Sequence, residues 1–275
     1  MYTPMKPILE KALKEGYAVP ALMTWDESSF RAACEVGMEL HSPIITITPR
    51  SYIPDPRVYG LLMTEIANEY PIPIASCMDH TAKYEDAITA IQNGFTSIMV
   101  DRSMLPIEEN IAQVKEIVKI AHTVGITVEA ELGHVGVGIE HNSADAFTVP
   151  SDALRFVKET DVDCLAVAVG TAHGVYKGVP KLHFDLIDKI SNQVKIPLVL
   201  HGGSGTGDEN LHKASQTAIC KINIANDLFR ASYDAAHNSD MTGNNVYYLY
   251  NVMTNGYKQC AKHYIELLGA SGKAN

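Results

Sequence analysis

The sequence predicts an α/β fold, a (β/α)8 (TIM) barrel in a single domain, and three observations lead to this prediction. Eight short apolar segments recur along the 275 residues, and each is followed by a stretch with helical spacing. Most of these segments are apolar throughout, which is typical of parallel strands covered on both faces. Eight β/α repeats in about 250 residues match the usual size of such a barrel.

The predicted strands are the runs rich in Val, Ile, Leu and Ala. In chain order they cover residues 18–22, 44–48, 74–78, 97–100, 127–131, 164–169, 198–200 and 220–224. A doubly wound open sheet is the structural alternative, and it usually carries a glycine-rich fingerprint after its first strand. Residues 23–26 read MTWD at that place, so the barrel is favoured.

The helices between the strands are predicted from amphipathic spacing and from end signals. The clearest apolar stripe consists of Ile107, Ile111, Val114, Val118 and Ala121. A leading helix around residues 7–14 stops at Gly16, a suitable C-terminal residue. Further helices begin at Pro150 and near Asp208. No linker or low-complexity tract interrupts the series, so residues 1–275 are predicted to form one domain.

Composition and charge exclude several classes of protein. Hydrophobic residues make up 46% and charged residues 20% of the chain, which excludes disordered and fibrous proteins. No apolar run approaches the roughly 18 residues that a membrane span needs. The net charge of −10, without a basic cluster, argues against a nucleic-acid partner, because such binding depends on neutralising phosphates. A small anionic substrate would have to be held by a local site.

The N-terminus and the cysteines indicate the compartment. Charged residues occupy the place where a secretory signal would need an apolar block. The five cysteines are widely spaced, odd in number and form no CxxC pair. This usage is typical of a reduced protein, so we expect a cytoplasmic location.

Histidines and carboxylates follow several predicted strands at their C-terminal ends, where barrel enzymes carry their functional groups. Asp79 and His80 follow strand three, Glu131 ends strand five, and His173 and His201 follow strands six and seven. Three imidazoles at one rim favour a catalytic zinc, which keeps three protein ligands and one open position. The alternative for any single one of them is a hydrogen-bonded or surface histidine.

The remaining histidines divide into two groups. The five in helices or their approaches are predicted to be solvated: His122, His183, His212, His237 and His263. His134 and His141, in the loop after strand five, stay without an assignment.

A glycine-rich turn follows strand seven and indicates a phosphate site. Residues 201–205 read HGGSG and lead to the helix near Asp208, so backbone N–H groups there could hold an anion. Barrel enzymes often place a phosphate after strands seven and eight, and residues 223–226 provide the second half of such a site.

Five segments together resemble the class II ketose-bisphosphate aldolases, a family that includes zinc-dependent fructose- and tagatose-bisphosphate aldolases. The segments are 79–80 (DH), 129–133 (EAELG), 170–178 (GTAHGVYKG), 198–205 (LVLHGGSG) and 221–226 (KINIAN). They stand in the family's order, and the likeness runs from about residue 19 nearly to the C-terminus.

The resemblance implies reversible aldol cleavage of a ketose 1-phosphate or ketose 1,6-bisphosphate to dihydroxyacetone phosphate and an aldehyde. His80, His173 and His201 would bind one zinc ion per chain, with Glu131 as a further ligand or a neighbour of the ligands. The metal would polarise the ketose carbonyl. Asp79 would take the proton of the C4 hydroxyl, and Glu140, on the loop after strand five, would exchange the proton on the dihydroxyacetone phosphate carbon.

The resemblance also implies a site for the C1 phosphate. Its residues are Gly174, Gly202, Gly203, Ser204, Asn223, Ala225 and Asn226. A monovalent cation near this phosphate and a homo-oligomer, dimer or tetramer, are further expectations.

Several departures from the family pattern concern the aldehyde half of the substrate. The usual Asp-Gly-Ser after strand four reads DRS at residues 101–103, and no arginine that could bind a distal phosphate follows Arg230. Arg50 and Arg102 lie near rim positions, and we expect them to bind an unphosphorylated or carboxylate-bearing aldehyde. The alternatives are that Arg102 faces solvent or that either arginine binds the ordinary phosphate.

Two other functions are weighed against the aldolase. A metal-dependent barrel hydrolase commonly needs a His-x-His pair, and the chain contains none. A non-catalytic sugar-phosphate-binding barrel would not need Asp79 together with three histidines at one rim.

Overall fold

Eight parallel strands form a closed barrel in the computed structural model, which describes residues 1–136, 147–176 and 178–275. The strands are β1 (Val19–Met23), β2 (Ile44–Pro49), β3 (Ile74–Thr81), β4 (Ser97–Val100), β5 (Thr127–Leu132), β6 (Cys164–Val167), β7 (Leu198–Leu200) and β8 (Ile219–Ile224). Each strand pairs in parallel with the next, and β8 pairs with β1 to close the barrel. The predicted fold is therefore confirmed, and the predicted strand ends differ by three residues at most.

Ten α-helices in the described ranges surround the strands. They are α1 (Met5–Glu15), α2 (Glu27–Glu39), α3 (Pro56–Asn68), α4 (Tyr84–Gln92), α5 (Ile107–Thr123), α6 (Pro150–Thr160), α7 (Phe184–Val194), α8 (Asp208–Ser215), α9 (Asn226–His237) and α10 (Leu249–Leu267). Short 3-10 helices cover Arg50–Tyr52 and Gly243–Tyr248. None of the described helices is both long enough and apolar enough to cross a membrane.

Local sequence signals account for the helix ends. Gly16 ends α1 in the left-handed conformation, with φ of 71°, and its N–H bonds to the carbonyl of Ala12, as predicted. Asp26 begins α2 through a capping box, in which its carboxylate accepts the N–H of Ser29. α6 begins at Pro150, because proline tolerates the first helical turn, where no backbone acceptor is available.

The core consists of the barrel interior and the apolar faces of the surrounding helices. Every residue of β1, β5 and β8 is buried, and on α5 the positions Ile111, Val114, Val118 and Ala121 are buried as the apolar stripe predicts. Charged side chains interrupt this apolar interior near its C-terminal end. A buried charge is costly unless it is paired, so charged side chains in this position need a specific reason. The C-terminal end of the strands is also where barrel enzymes carry their functional groups.

Candidate active site at the C-terminal rim

The end of β3 carries two of the predicted site residues in an unusual backbone arrangement. Asp79 is buried and His80 is half-buried at the rim. His80 has a φ of 46°, in the left-handed region that non-glycine residues rarely adopt. The register between β3 and β4 shifts between Met78 and Thr81, so the strand is irregular where it presents these side chains.

Four side chains from four strand ends converge at this rim: His80, Glu131, His173 and His201. One donor atom from each lies within 4.8 Å of all the others. Nε2 of His80 and Nδ1 of His201 are 3.1 Å apart, and Nδ1 of His201 is 3.9 Å from Oε2 of Glu131. The structure thus brings together the three histidines and the glutamate that the sequence pattern selects.

Carboxylates behind the histidines fix which ring nitrogens face the centre. Nδ1 of His80 is 2.8 Å from Oδ2 of Asp101, and Nε2 of His201 is 2.8 Å from Oε1 of Glu129. We assign a proton to each of these outer nitrogens, because a carboxylate accepts it. The inner nitrogens, Nε2 of His80 and Nδ1 of His201, lie 3.1 Å apart, so one of them carries a proton that a metal ion would have to displace. Carboxylates behind ligand histidines are the usual support of a metal site.

Three polar atoms at this centre are buried without a hydrogen-bond partner among the described residues. They are Nε2 of His173, Oε2 of Glu131 and Oδ1 of Asp79. Buried polar atoms are nearly always paired, so their isolation needs an explanation. Three imidazoles and a carboxylate form a donor set that suits zinc, and a cation there would satisfy the ligand atoms. The residues present therefore fit a metal ion.

The electrostatics of the centre differ from one side chain to the next. Burial of the ring, with help from the charges of His201 and His80, lowers the pKa of His173 to about 3, so its imidazole is neutral. Burial raises the pKa of Glu131 to about 6. Burial opposes protonation of His80, but the carboxylates of Asp79 and Asp101 outweigh it and raise the pKa of His80 to about 9.

A fully buried ion pair supports the centre from below. Nζ of Lys221 is 2.8 Å from Oε2 of Glu129, and Lys221 also donates to Oδ1 of Asn223 at 2.7 Å. Burial disfavours the charged form of Glu129, but Lys221 and His201 reverse this and lower the pKa of its carboxyl. The pair therefore connects a candidate ligand, through Glu129, to a predicted phosphate-site residue, Asn223.

Neither Glu129 nor Lys221 was assigned a role from the sequence, although a signal was present. Alternate residues of a strand face the same side. Glu129 and Glu131 alternate on β5, and Lys221 and Asn223 alternate on β8. Charged residues at inward positions of otherwise apolar strands could have identified this pair.

A cavity of about 310 Å³ opens beside the four converging side chains. Nine of its lining residues are predicted site residues: Asp79, His80, His173, Gly174, Gly202, Ser204, Asn223, Ala225 and Asn226. The five other lining residues are Met23, Ile47, Pro49, Tyr52 and Phe229. The cavity thus has a polar side at β7 and β8 and an apolar side at β1 and β2.

The predicted phosphate turn is held tightly against its neighbours. Oγ of Ser204 accepts the N–H groups of Ala225 and Asp227 at 3.1 and 3.2 Å, so its own proton is available for another acceptor. Gly202 has a φ of 67°, and a Cβ there would lie 2.2 Å from the carbonyl oxygen of Ala172. A Cβ on Gly203 would lie 2.6 Å from Ile222. Packing therefore requires glycine at both positions, and at Gly202 the positive φ requires it as well.

Tyr176 connects the two loops that carry His173 and His201, and the sequence did not single it out. Its hydroxyl accepts the N–H of Ala172 at 2.7 Å and lies 2.9 Å from the carbonyl oxygen of Gly202. The phenol therefore ties the loop after β6 to the loop after β7.

The two arginines expected at the aldehyde end lie elsewhere, which corrects their predicted placement. Among the described residues that line the cavity there is no Arg and no Lys. Arg50 bonds to the carbonyl of Ile53 and lies 3.8 Å from Asp86. Arg102 is buried and hydrogen-bonded to protein groups, so it does not face solvent either. Both guanidinium groups are occupied by local acceptors outside the cavity.

The prediction that five further histidines are solvated is correct for three of them. His212, His237 and His263 are exposed as predicted, but His122 and His183 are half-buried. Nε2 of His122 bonds to Oδ2 of Asp163 at 2.9 Å, because the acceptor lies beside the end of α5. Glu140 and His141 lie outside the described residues.

The sequence and the fold were compared with those of known proteins. The family model for class II fructose-bisphosphate aldolase matches residues 3–273. The chain belongs to the class II fructose-bisphosphate aldolase family. The crystal structure of the YdjI aldolase from Escherichia coli K12 is 30% identical, covers 100% of both chains and superposes with a TM-score of 0.91.

The fold of this aldolase family extends to more distant members. A fructose-bisphosphate aldolase from Campylobacter jejuni is 20% identical over 100% of this chain and 97% of its own, with a TM-score of 0.85. That likeness concerns the barrel alone. For this class II aldolase, the family and the His/Glu cluster together identify an aldehyde-lyase whose rim can hold a metal ion.

Proposed function

We propose that the protein is a zinc-dependent class II aldolase that cleaves a ketose 1-phosphate to dihydroxyacetone phosphate and an uncharged aldehyde. The observation that carries the proposal is the convergence of four donor atoms within 4.8 Å beside a cavity that Asp79 also lines. A metal, a positioned carboxylate and a phosphate site in one cavity are the parts that this reaction needs.

The histidines and Glu131 hold the metal in this proposal. A zinc ion bound by His80, His173 and His201, with Glu131 as a further donor, supplies Lewis-acid polarisation of the substrate carbonyl. His173 suits this task because its pKa is lowered to about 3 and its buried Nε2 has no hydrogen-bond partner among the described residues. Asp101 and Glu129 keep the other two rings in orientation.

Asp79 is the proposed base for cleavage. Within the part of the chain that the structure describes, its buried Oδ1 has no hydrogen-bond partner, and the residue lines the cavity. As the C4 hydroxyl of the substrate gives its proton to Asp79, the C3–C4 bond breaks, its electron pair stays on C3, and the aldehyde leaves. C3 then receives a proton to complete dihydroxyacetone phosphate. We assign that transfer to Glu140 on the strength of the family resemblance.

The phosphate is assigned to the side of the cavity between β7 and β8. The hydroxyl proton of Ser204 is available there, and the N-terminus of α9, beginning at Asn226, provides a favourable end of a helix dipole. With this end fixed and the metal beside it, the aldehyde half extends toward β1 and β2.

The apolar wall at β1 and β2 favours a monophosphate. Met23, Ile47, Pro49, Tyr52 and Phe229 line that side, and the described lining contains no Lys or Arg. A second phosphate held there without a cation would be costly. The terminal carbon of the aldehyde is therefore proposed to be uncharged.

A retro-aldol assay tests this function. Metal-free protein, zinc-reconstituted protein and an Asp79→Asn variant are each given ketose 1-phosphates and ketose 1,6-bisphosphates, and released dihydroxyacetone phosphate is measured. We expect cleavage only with zinc and with Asp79, and kcat/KM at least tenfold higher for a monophosphate. Binding without cleavage by the zinc form would indicate a sugar-phosphate-binding barrel, and undiminished cleavage after chelation would reject the zinc assignment.

A further inference from the structure

Arg102 is a buried arginine whose hydrogen bonds all go to protein groups next to the candidate metal site. Only 5% of the residue is exposed. One terminal nitrogen, Nη1, donates to the carbonyl oxygens of Thr81 at 2.7 Å and Asp101 at 2.8 Å. Nε donates to Oε1 of Gln113 on α5 at 2.7 Å. The guanidinium therefore joins the end of β3, the loop after β4 and α5.

The first of these carbonyls belongs to the residue that follows His80. The φ of 46° at His80 is a strained conformation, which persists only where the surroundings enforce it. The shift in register between β3 and β4 interrupts the strand ladder at this point. Besides Arg102, the hydroxyl of Thr81 holds this segment by donating to the carbonyl of Met99 at 2.7 Å.

The second carbonyl belongs to the residue that orients the His80 ring. Oδ2 of Asp101 lies 2.8 Å from Nδ1 of His80, while Oδ1 accepts the N–H and the hydroxyl of Ser103 at 3.0 and 2.8 Å. Nη1 of Arg102 thus bonds to the backbone on both sides of the His80–Asp101 contact. A change in either backbone position would turn the imidazole.

We propose that Arg102 is a positioning residue, which fixes the backbones of Thr81 and Asp101 so that Nε2 of His80 faces the other three candidate ligands. The inference rests on the proposed metal site and gives Arg102 a role apart from the aldehyde end. Arg102 is the middle residue of the segment 101–103, which reads DRS. A residue without a long donor side chain at this position could not make this connection.

Gln113 provides a matched control for a purely structural role. It is exposed and accepts the third hydrogen bond of Arg102, but it touches neither Thr81 nor Asp101 through that bond. If Arg102 only fastened α5 to the barrel, Arg102→Met and Gln113→Met would have similar effects. If Arg102 positions His80, only Arg102→Met changes the metal site.

The experiment measures zinc affinity and the His80 ring. Metal-free wild type, Arg102→Met and Gln113→Met are titrated with zinc against a chromophoric chelator, and the Nδ1 proton of His80 is followed by NMR in the metal-free proteins. Loss of a group that supports a metal ligand commonly lowers affinity by about 10- to 100-fold. We expect that loss, and a lost or broadened Nδ1 proton signal, in Arg102→Met alone, and a change below about twofold in Gln113→Met.

The experiment distinguishes results that contradict the role of Arg102 from results that contradict the proposed zinc site. Wild-type zinc affinity and an unchanged His80 signal in Arg102→Met, or equal losses in both variants, would overturn the positioning role. If Arg102→Met does not fold, Arg102→Gln provides the second test, because its amide nitrogen replaces Nε and is too short to take the place of the terminal nitrogen that bonds to both carbonyls. Wild-type zinc affinity in that variant would equally overturn the positioning role. A wild type that binds no zinc would reject the proposed function, while the NMR signal of metal-free protein would still decide the role of Arg102.

Discussion

Glu129 and Lys221 form an ion pair with a separation of 2.8 Å inside the barrel, and neither side chain has any solvent exposure. Glu129 is hydrogen-bonded to His201, and Lys221 donates to Asn223. The pair therefore holds two side chains of the candidate active site in place. Burial of two charges is tolerated because each has its counter-charge and further hydrogen bonds. Removing one partner should therefore cost far more than removing both.

Replacing Lys221 with Met should lower the free energy of unfolding of metal-free protein by about 3–5 kcal/mol, because the carboxylate of Glu129 would remain buried without a cation. The double variant Glu129→Gln/Lys221→Met should recover most of that loss. Urea denaturation measures both values. Equal stabilities of the single and double variants would show that the pair is not the reason for the loss.

Replacing Asp79 with Ala should lower kcat by about 10²–10⁴-fold while one zinc ion per chain is retained. The physical reason is the loss of the carboxylate that lines the cavity and accepts the substrate proton. Steady-state kinetics and metal analysis together test this. Asp185→Ala, at an exposed position in the first turn of α7, serves as the control. Near-normal turnover of Asp79→Ala would transfer the role of base to another residue.

Zinc affinity should rise with pH between 6.5 and 9. Asp79 and Asp101 outweigh burial and raise the pKa of His80 from 6.5 to about 9 in the metal-free protein, so zinc must displace a proton in this range. Displacement of one proton corresponds to about a tenfold gain per pH unit. Competition titrations at a series of pH values measure the slope.

The same pKa has an opposite effect on the metal-free fold. Since the pKa of His80 is higher in the folded protein, its contribution to the free energy of unfolding is complete below pH 6.5 and is lost as the pH rises through about 9.

Asp101→Asn tests the cause assigned to the raised pKa of His80. It removes one of the two carboxylates and should move the pH dependence of zinc binding to lower pH. An unchanged profile in this variant would contradict the assigned cause.

Replacing Tyr52 with Arg should shift the substrate preference toward bisphosphates. Tyr52 lies on the apolar side of the cavity, and a guanidinium there could bind a terminal phosphate. We expect the ratio of kcat/KM for bisphosphate over monophosphate to rise about tenfold, which corresponds to about 1.4 kcal/mol. Tyr247→Arg adds the same charge at a highly exposed position outside the cavity. Equal shifts in both variants would point to the net charge.

The fold and the converging ligands could be predicted because both depend on local patterns. Apolar runs mark the strands, and the C-terminal ends of parallel strands share one rim, so Asp79, His80, His173 and His201 had to lie near one another. The strand ends were less certain, since β3 continues through the irregular segment up to Thr81.

The roles of the arginines could not be predicted from position along the chain. A guanidinium reaches several ångströms from its backbone, and its direction depends on which acceptors the neighbouring strands expose. For Arg102 these are the carbonyl of Asp101, its neighbour in the chain, and the carbonyl of Thr81, which the pairing of β3 with β4 brings within reach. Glu129 and Lys221 could have been recognised as inward charged residues of apolar strands, but only the closed barrel shows that they pair with each other.

The backbone of His80 has a consequence for protein engineering. A procedure that redesigns this barrel for thermal stability alone would select glycine or asparagine at position 80, because both accept a positive φ with less strain. That choice would remove an imidazole of the rim cluster while improving the local backbone. His80 is thus a position where optimisation for robustness and retention of activity demand different amino acids.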